Sequence, residues 1–176
     1  MQKQQFILYE IWMLTVNASF QRANIYVPGT PEKDRQILRE ALKQHIMQTS
    51  KMYALPVNEN QHLENIKSVI TFSLPYKHML QNASLSFGVS QKLLNLYLKY
   101  LWSLNIIPTP PHFPVDNIIQ TALKIKNKPW TQKHFDEDAY MEVINEAAKQ
   151  LGAKYKNIAE WELANFKRRI NIAVGN

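Results

Sequence analysis

Residues 85–116 read LSFGVSQKLLNLYLKYLWSLNIIPTPPHFPVD. The parts follow in order: a tight glycine turn at Gly88, a helix over Ser90–Leu104, a proline-rich loop, and Asp116. Within the helix the polar positions are Lys92, Asn95, Lys99 and Ser103. Spaced by three, four and four residues, they share one helical face. The other faces carry Leu93, Leu94, Leu96, Tyr97, Leu98, Tyr100, Leu101 and Trp102. A helix with so narrow a polar stripe belongs near the middle of a fold, and the stripe must face water, a cleft or a ligand. Pro108, Pro110, Pro111 and Pro114 keep residues 105–115 out of helix. Asp116 then caps a helix from Asn117 to about Lys126.

The flanking sequence extends the helical pattern. Residues Gln5 to Gln21 form a first helix, with Phe6, Tyr9, Met13 and Val16 on one face. Thr30-Pro31-Glu32 is a helix start with a capping hydroxyl, a proline at the first position and an acid in the first turn. The helix behind it carries Ile37, Leu38, Ala41, Leu42, His45 and Ile46 at a 3.6-residue period. A further helix spans His62 to Phe72. Asp136 starts another, stopped at Gly152, and Asn157 starts the last, with Ile158, Trp161, Leu163 and Phe166 as its large apolar residues. The expected fold is all-α, a bundle of six to eight helices in one domain, 1–176, with a cleft between two lobes as an option near residues 85–116.

Composition narrows the function. The chain has 176 residues, 45% of them apolar and 20% charged, as in ordinary globular proteins. With no cysteine, disulfides, thiolate zinc sites and cysteine-bound iron–sulfur clusters are excluded. No His/Asp/Glu spacing reads as a metal site, so neither metal nor cofactor is expected. The apolar run FILYEIWMLTV is broken by Glu10 and lacks a small-residue cleavage site, and no run is long enough to span a membrane. A cytoplasmic location away from membranes is the expectation. The net charge of +7 favours a polyanionic partner such as nucleic acid. Lys124, Lys126 and Lys128, then Lys133 and His134, make one basic run; Lys167, Arg168 and Arg169 make a second.

The segment Phe87-Gly88-Val89-Ser90-Gln91-Lys92-Leu93-Leu94-Asn95, with Pro114-Val115-Asp116 behind it, resembles the helix-hairpin-helix DNA glycosylases. That superfamily includes endonuclease III and 8-oxoguanine DNA glycosylase. Its turn of the form G-V-G-x-K offers backbone N–H groups to a DNA phosphate, and its lysine is the nucleophile of the bifunctional members. The resemblance implies Lys92 as an amine nucleophile and Asp116 as its catalytic partner. It further implies duplex DNA as the partner, with a base rotated into a pocket and a lysine Schiff base on the sugar. On this reading Gly88, Ser90 and Gln91 at the turn, Asn95 and Lys99 along the stripe, and Lys124 on the basic run meet the DNA. Tyr97, Tyr100, Trp102, His112 and Phe113 are stacking candidates for the base. Two positions depart from the pattern: Ser90 stands at the family's second glycine, and Phe87 replaces its usual proline. The alternative is a non-catalytic helical module that binds nucleic acid or protein through the stripe. A more distant option, the arginine-to-histidine spacing of HEPN ribonucleases, has Arg39 and His45 off a common face.

Overall fold

A computed structural model describes residues 2–166; the second basic run, Lys167 to Arg169, lies outside the described residues. Among the described residues there are seven α-helices: α1 Gln2–Phe20, α2 Glu32–Ser50, α3 Glu59–Ser73, α4 Phe87–Ser103, α5 Asn117–Ala122, α6 Glu137–Lys149 and α7 Ile158–Asn165. Two short 3-10 turns, Lys51–Ala54 and Leu74–Met79, follow α2 and α3. There is no strand among the described residues, only an isolated bridge between Tyr26 and Leu80. The expected all-α class is what the chain adopts.

The apolar helix α4 takes the middle, packed on α1, α2 and α3. Leu93, Leu94, Leu98 and Leu101 are buried, each contributing roughly 2 kcal/mol of burial free energy. From the other sides Leu38, Leu42, Ile46, Ile66 and Val69 close the core. Its start differs from the sequence reading. The helix begins at Phe87, so Gly88 lies inside the first turn, and Ser86 is the cap, accepting from the Val89 amide at 3.3 Å. Glycine is required there for space: a Cβ on Gly88 would stand 1.8 Å from the Trp130 carbonyl oxygen. At the far end Asn105, with φ +57°, follows the last turn; its amide donates to Trp102 (2.8 Å) and that of Ile106 to Leu101 (2.9 Å). This Schellman pairing satisfies the last carbonyls before the prolines begin.

Other expectations move. The buried face of α1 is Ile11, Trp12, Thr15, Val16 and Ser19, whereas Phe6, Tyr9 and Met13 are exposed. Only Val16 of the expected face is interior, because α1 is apolar nearly all round and its periodicity points in no single direction. Thr30 does not cap α2; its hydroxyl donates back to the Val27 carbonyl at 2.7 Å, and Pro31 occupies the cap position. On α2, Ile37 faces solvent while Leu38, Leu42 and Ile46 are interior. Helix α5 stops at Ala122 rather than near Lys126, since Lys124 turns left-handed at φ +58°. Asp136 and Asn157 cap α6 and α7 as expected, through Ala139 and Glu160 amides.

Candidate functional site

The polar stripe of α4 faces neither water nor an open cleft along most of its length. It faces the loop 105–116, the loop 123–136 and helices α6 and α7, and it organises two clusters. The first is charged. Lys92 Nζ lies 3.0 Å from Asp116 Oδ2, with Lys92 8% and Asp116 9% exposed. Asp116 divides its oxygens: Oδ1 accepts from the Ile118 and Ile119 amides at 2.9 and 3.2 Å, capping α5, while Oδ2 meets the lysine. The Trp130 ring lies 4.3 Å from Nζ, close enough for a cation–π contact that seals the ammonium on that side. Two turns along, Lys99 pairs with buried Glu162 of α7 at 2.7 Å and approaches the Phe166 ring at 4.5 Å.

These charges sense one another. Burial pulls the Lys92 ammonium below the ordinary lysine range; Asp116 opposes that shift, and exposed Arg22 reinforces it. Burial raises the Glu162 carboxyl, against the pull of Lys99. A lysine that is desolvated, basic enough to pair yet easier to deprotonate than in water, and bonded to a carboxylate has the chemistry of an amine nucleophile with its base.

The second cluster is neutral. Gln91 clamps the loop by two bonds, donating to the Val115 carbonyl (2.8 Å) and accepting from the Val115 amide (3.1 Å). That clamp sets Asp116 opposite Lys92. The Asn95 amide donates to the Phe113 carbonyl at 3.1 Å and to the Tyr140 hydroxyl at 2.9 Å. Having accepted from Asn95, Tyr140 gives its one proton to His112 Nδ1 (3.0 Å), which leaves His112 Nε2–H to donate to Glu59 at 3.2 Å. By the same logic Tyr53 accepts from Asn65 (3.0 Å) and donates to His62 Nδ1 (2.7 Å), so His62 carries its proton on Nε2. His62 Nε2 and Asn95 Oδ1 are the network's two buried atoms with no hydrogen-bond partner, one a donor and one an acceptor. The rings of His62 and His112 meet edge to face, 4.8 Å between centroids. Burial holds both histidines below the ordinary range, His62 down to about 3, and pushes Tyr53 up to about 12.

The sequence reading thus meets the structure unevenly. Lys92 and Asp116 come together. Gly88 is pressed against Trp130; Ser90, Gln91 and Asn95 are buried and present no surface to a nucleic acid, and Lys99 is engaged by Glu162. Only Lys124 of the expected contact residues is exposed, near exposed Lys126, Lys133 and His134. The physical reason is that α4 is covered on its polar side too, by elements 20 to 70 residues later whose docking leaves no local signal. Trp130, Tyr140, His62, Tyr53 and Glu162 were missed for the same reason: each reaches the site from a different helix or loop. Tyr97 is buried in the core and His112 belongs to the neutral network. Arg39 pairs with Glu32, and His45 bonds Ser68 at 3.1 Å and stacks on Phe72, so the two do not share a site. No group of three or more potential metal ligands gathers among the described residues, and no described helix is long and apolar enough to cross a membrane. In comparisons with known proteins, no family model, no curated protein and no solved structure matches this chain.

Proposed function

We propose that this chain is a DNA-binding protein that excises a base through a lysine Schiff base, a glycosylase with a lyase step, with Lys92 as nucleophile and Asp116 as its base. The observation that carries the reading is the 3.0 Å contact between Lys92 Nζ and Asp116 Oδ2 in a desolvated setting. Asp116 takes a proton from the ammonium. The free amine bonds to the sugar C1′ while the C1′–N bond to the base breaks; the electron pair leaves with the base, which takes up a proton. Opening of the C1′–O4′ bond then gives a protonated imine on Lys92, from which the strand is cleaved by elimination. The exposed lysines of the loop 123–136 and the net charge of +7 support a polyanionic substrate.

A second reading has its own support: an 8% exposed lysine that is paired with a carboxylate and roofed by Trp130 also suits a fixed interior ion pair in a non-catalytic binding module. Borohydride trapping separates the two. Wild type and Lys92→Gln are incubated with duplexes carrying an abasic site, 8-oxoguanine or uracil. A covalent adduct formed by wild type and lost in Lys92→Gln is the expected result. DNA binding without an adduct on any duplex would assign the chain to the second reading.

A further inference from the structure

We propose that two copies of this chain pair through the outer face of the first half of α1, antiparallel about a twofold axis. From Gln2 to Glu10 every residue of α1 is exposed except half-buried Leu8. At about 100° per residue, Lys3, Phe6, Ile7, Glu10, Met13 and Leu14 fall within an arc of roughly 120°, opposite the buried Ile11, Trp12 and Val16. Phe6 is 61% exposed and Leu14 47%. A face of four large apolar side chains is expensive to leave in water, and such faces mark contacts with another surface.

The charges on this face select the occupant. Lys3 and Glu10 are its two ionic groups, and neither forms an ion pair among the described residues. A twofold axis passing between Phe6 and Ile7 sets Phe6 against the partner's Ile7. The same operation sets Lys3 against the partner's Glu10, and Glu10 against the partner's Lys3, each about 5 Å along the helix from the axis. Met13 and Leu14 then lie just past the partner's Gln2, beyond the overlap of the two helices. Parallel pairing would instead oppose like charges. The face is its own complement in one arrangement only, which is the property of an isologous interface. A single helix pair of this length buries less than a standard interface, so the dimer is weak and concentration-dependent.

Sedimentation of the full chain across the micromolar range tests this at low salt. Wild type is expected to shift from monomer to dimer mass as concentration rises, and Phe6→Glu to remain monomeric with unchanged helicity. Lys3→Glu and Glu10→Lys each weaken association severalfold, the Lys3→Glu/Glu10→Lys double variant regains it, and an equimolar mixture of the two single variants associates. A chain that is monomeric throughout, or a dimer indifferent to Phe6→Glu and to both charge reversals, would overturn the proposal. So would a monomer that binds anionic lipid vesicles through Phe6, which would give the face to a membrane surface instead.

Discussion

The two clusters on α4 are built from neighbouring positions of one helix and behave differently. Around Asn95 the side chains are uncharged up to the Glu59 carboxylate, and their hydrogen bonds run in an order that fixes both histidine tautomers, from Asn65 through Tyr53 to His62, and from Asn95 through Tyr140 and His112 to Glu59, leaving His62 Nε2 and Asn95 Oδ1 without a partner. Around Lys92 the groups are charged and few: Lys92 is held by its one ion pair beneath the Trp130 ring, and Asp116 by that pair and the two amides it caps. A network whose buried groups are nearly all bonded specifies one packing and resists change, because most of its groups would lose a bond on opening. A buried ion pair is poor at that: its desolvation cost offsets much of its attraction, and a hydrophobic replacement of both partners is often neutral. The contrast assigns rigidity to the cluster around Asn95 and leaves the charged cluster around Lys92 less committed to the packing.

The largest way to break this contrast is acid. Folded His62 titrates near 3 and its unfolded counterpart near 6.5. Between those values the unfolded chain binds a proton that the folded chain refuses, so stability falls as pH drops from 6.5 toward 3, by on the order of 4 kcal/mol for a shift of this size. His112, also lowered by burial, acts with the same sign. Urea unfolding over a pH series reads it, and His62→Gln flattens the dependence. Constant stability from pH 6.5 to 4 would mean the network is not closed to protons. Next in size is Asn95→Leu, which strips partners from Tyr140, the Phe113 carbonyl and the Gln91 amide oxygen at once; a loss of about 3 kcal/mol, near 10 °C in Tm, is expected in a thermal melt.

The sequence supported the helices wherever amphipathic period and capping residues agreed. Asp116, Asp136 and Asn157 each sit one residue before the helix they cap, and α2 and α3 carry buried residues at helical spacing. It misled where those signals were ambiguous. Gly88 looked like a turn because glycine ordinarily marks one, yet its role is to admit the Trp130 carbonyl, a contact made across more than 40 residues. The Lys92–Asp116 pairing was legible only through the resemblance of residues 87–95 and 114–116 to the glycosylase motif; the two side chains meet at 3.0 Å. The depth of that pair was not, since Trp130 and Glu162 come from elements whose docking no local pattern records.

A double-mutant cycle on the charged pair sharpens the comparison at smaller amplitude. Lys92→Met leaves Asp116 Oδ2 buried without its cation and costs about 2 kcal/mol; Lys92→Met/Asp116→Asn recovers much of that, because no uncompensated charge remains while the isosteric amide still caps α5. Chemical denaturation measures both. A double variant as unstable as the sum of Lys92→Met and Asp116→Asn would mean that the two side chains are not energetically coupled.

The smallest effect separates stability from binding in the loop that carries Trp130. Lys124 occupies the left-handed position that ends α5, its amide donating to Thr121 and that of Ile125 to Gln120, a Schellman arrangement that glycine ordinarily fills. Lys124→Gly removes the Cβ strain and one exposed cation together. Stability is expected to rise by about 0.5–1 kcal/mol, since the position is already committed to positive φ. If the exposed lysines beside Trp130 meet a nucleic-acid backbone, the same substitution lowers the slope of log affinity against log salt by about one. Opposite signs in one variant make the two roles separable: a chain that gains stability and keeps its full salt slope places the polyanion contact away from this loop, and with it removes the electrostatic route to Lys92.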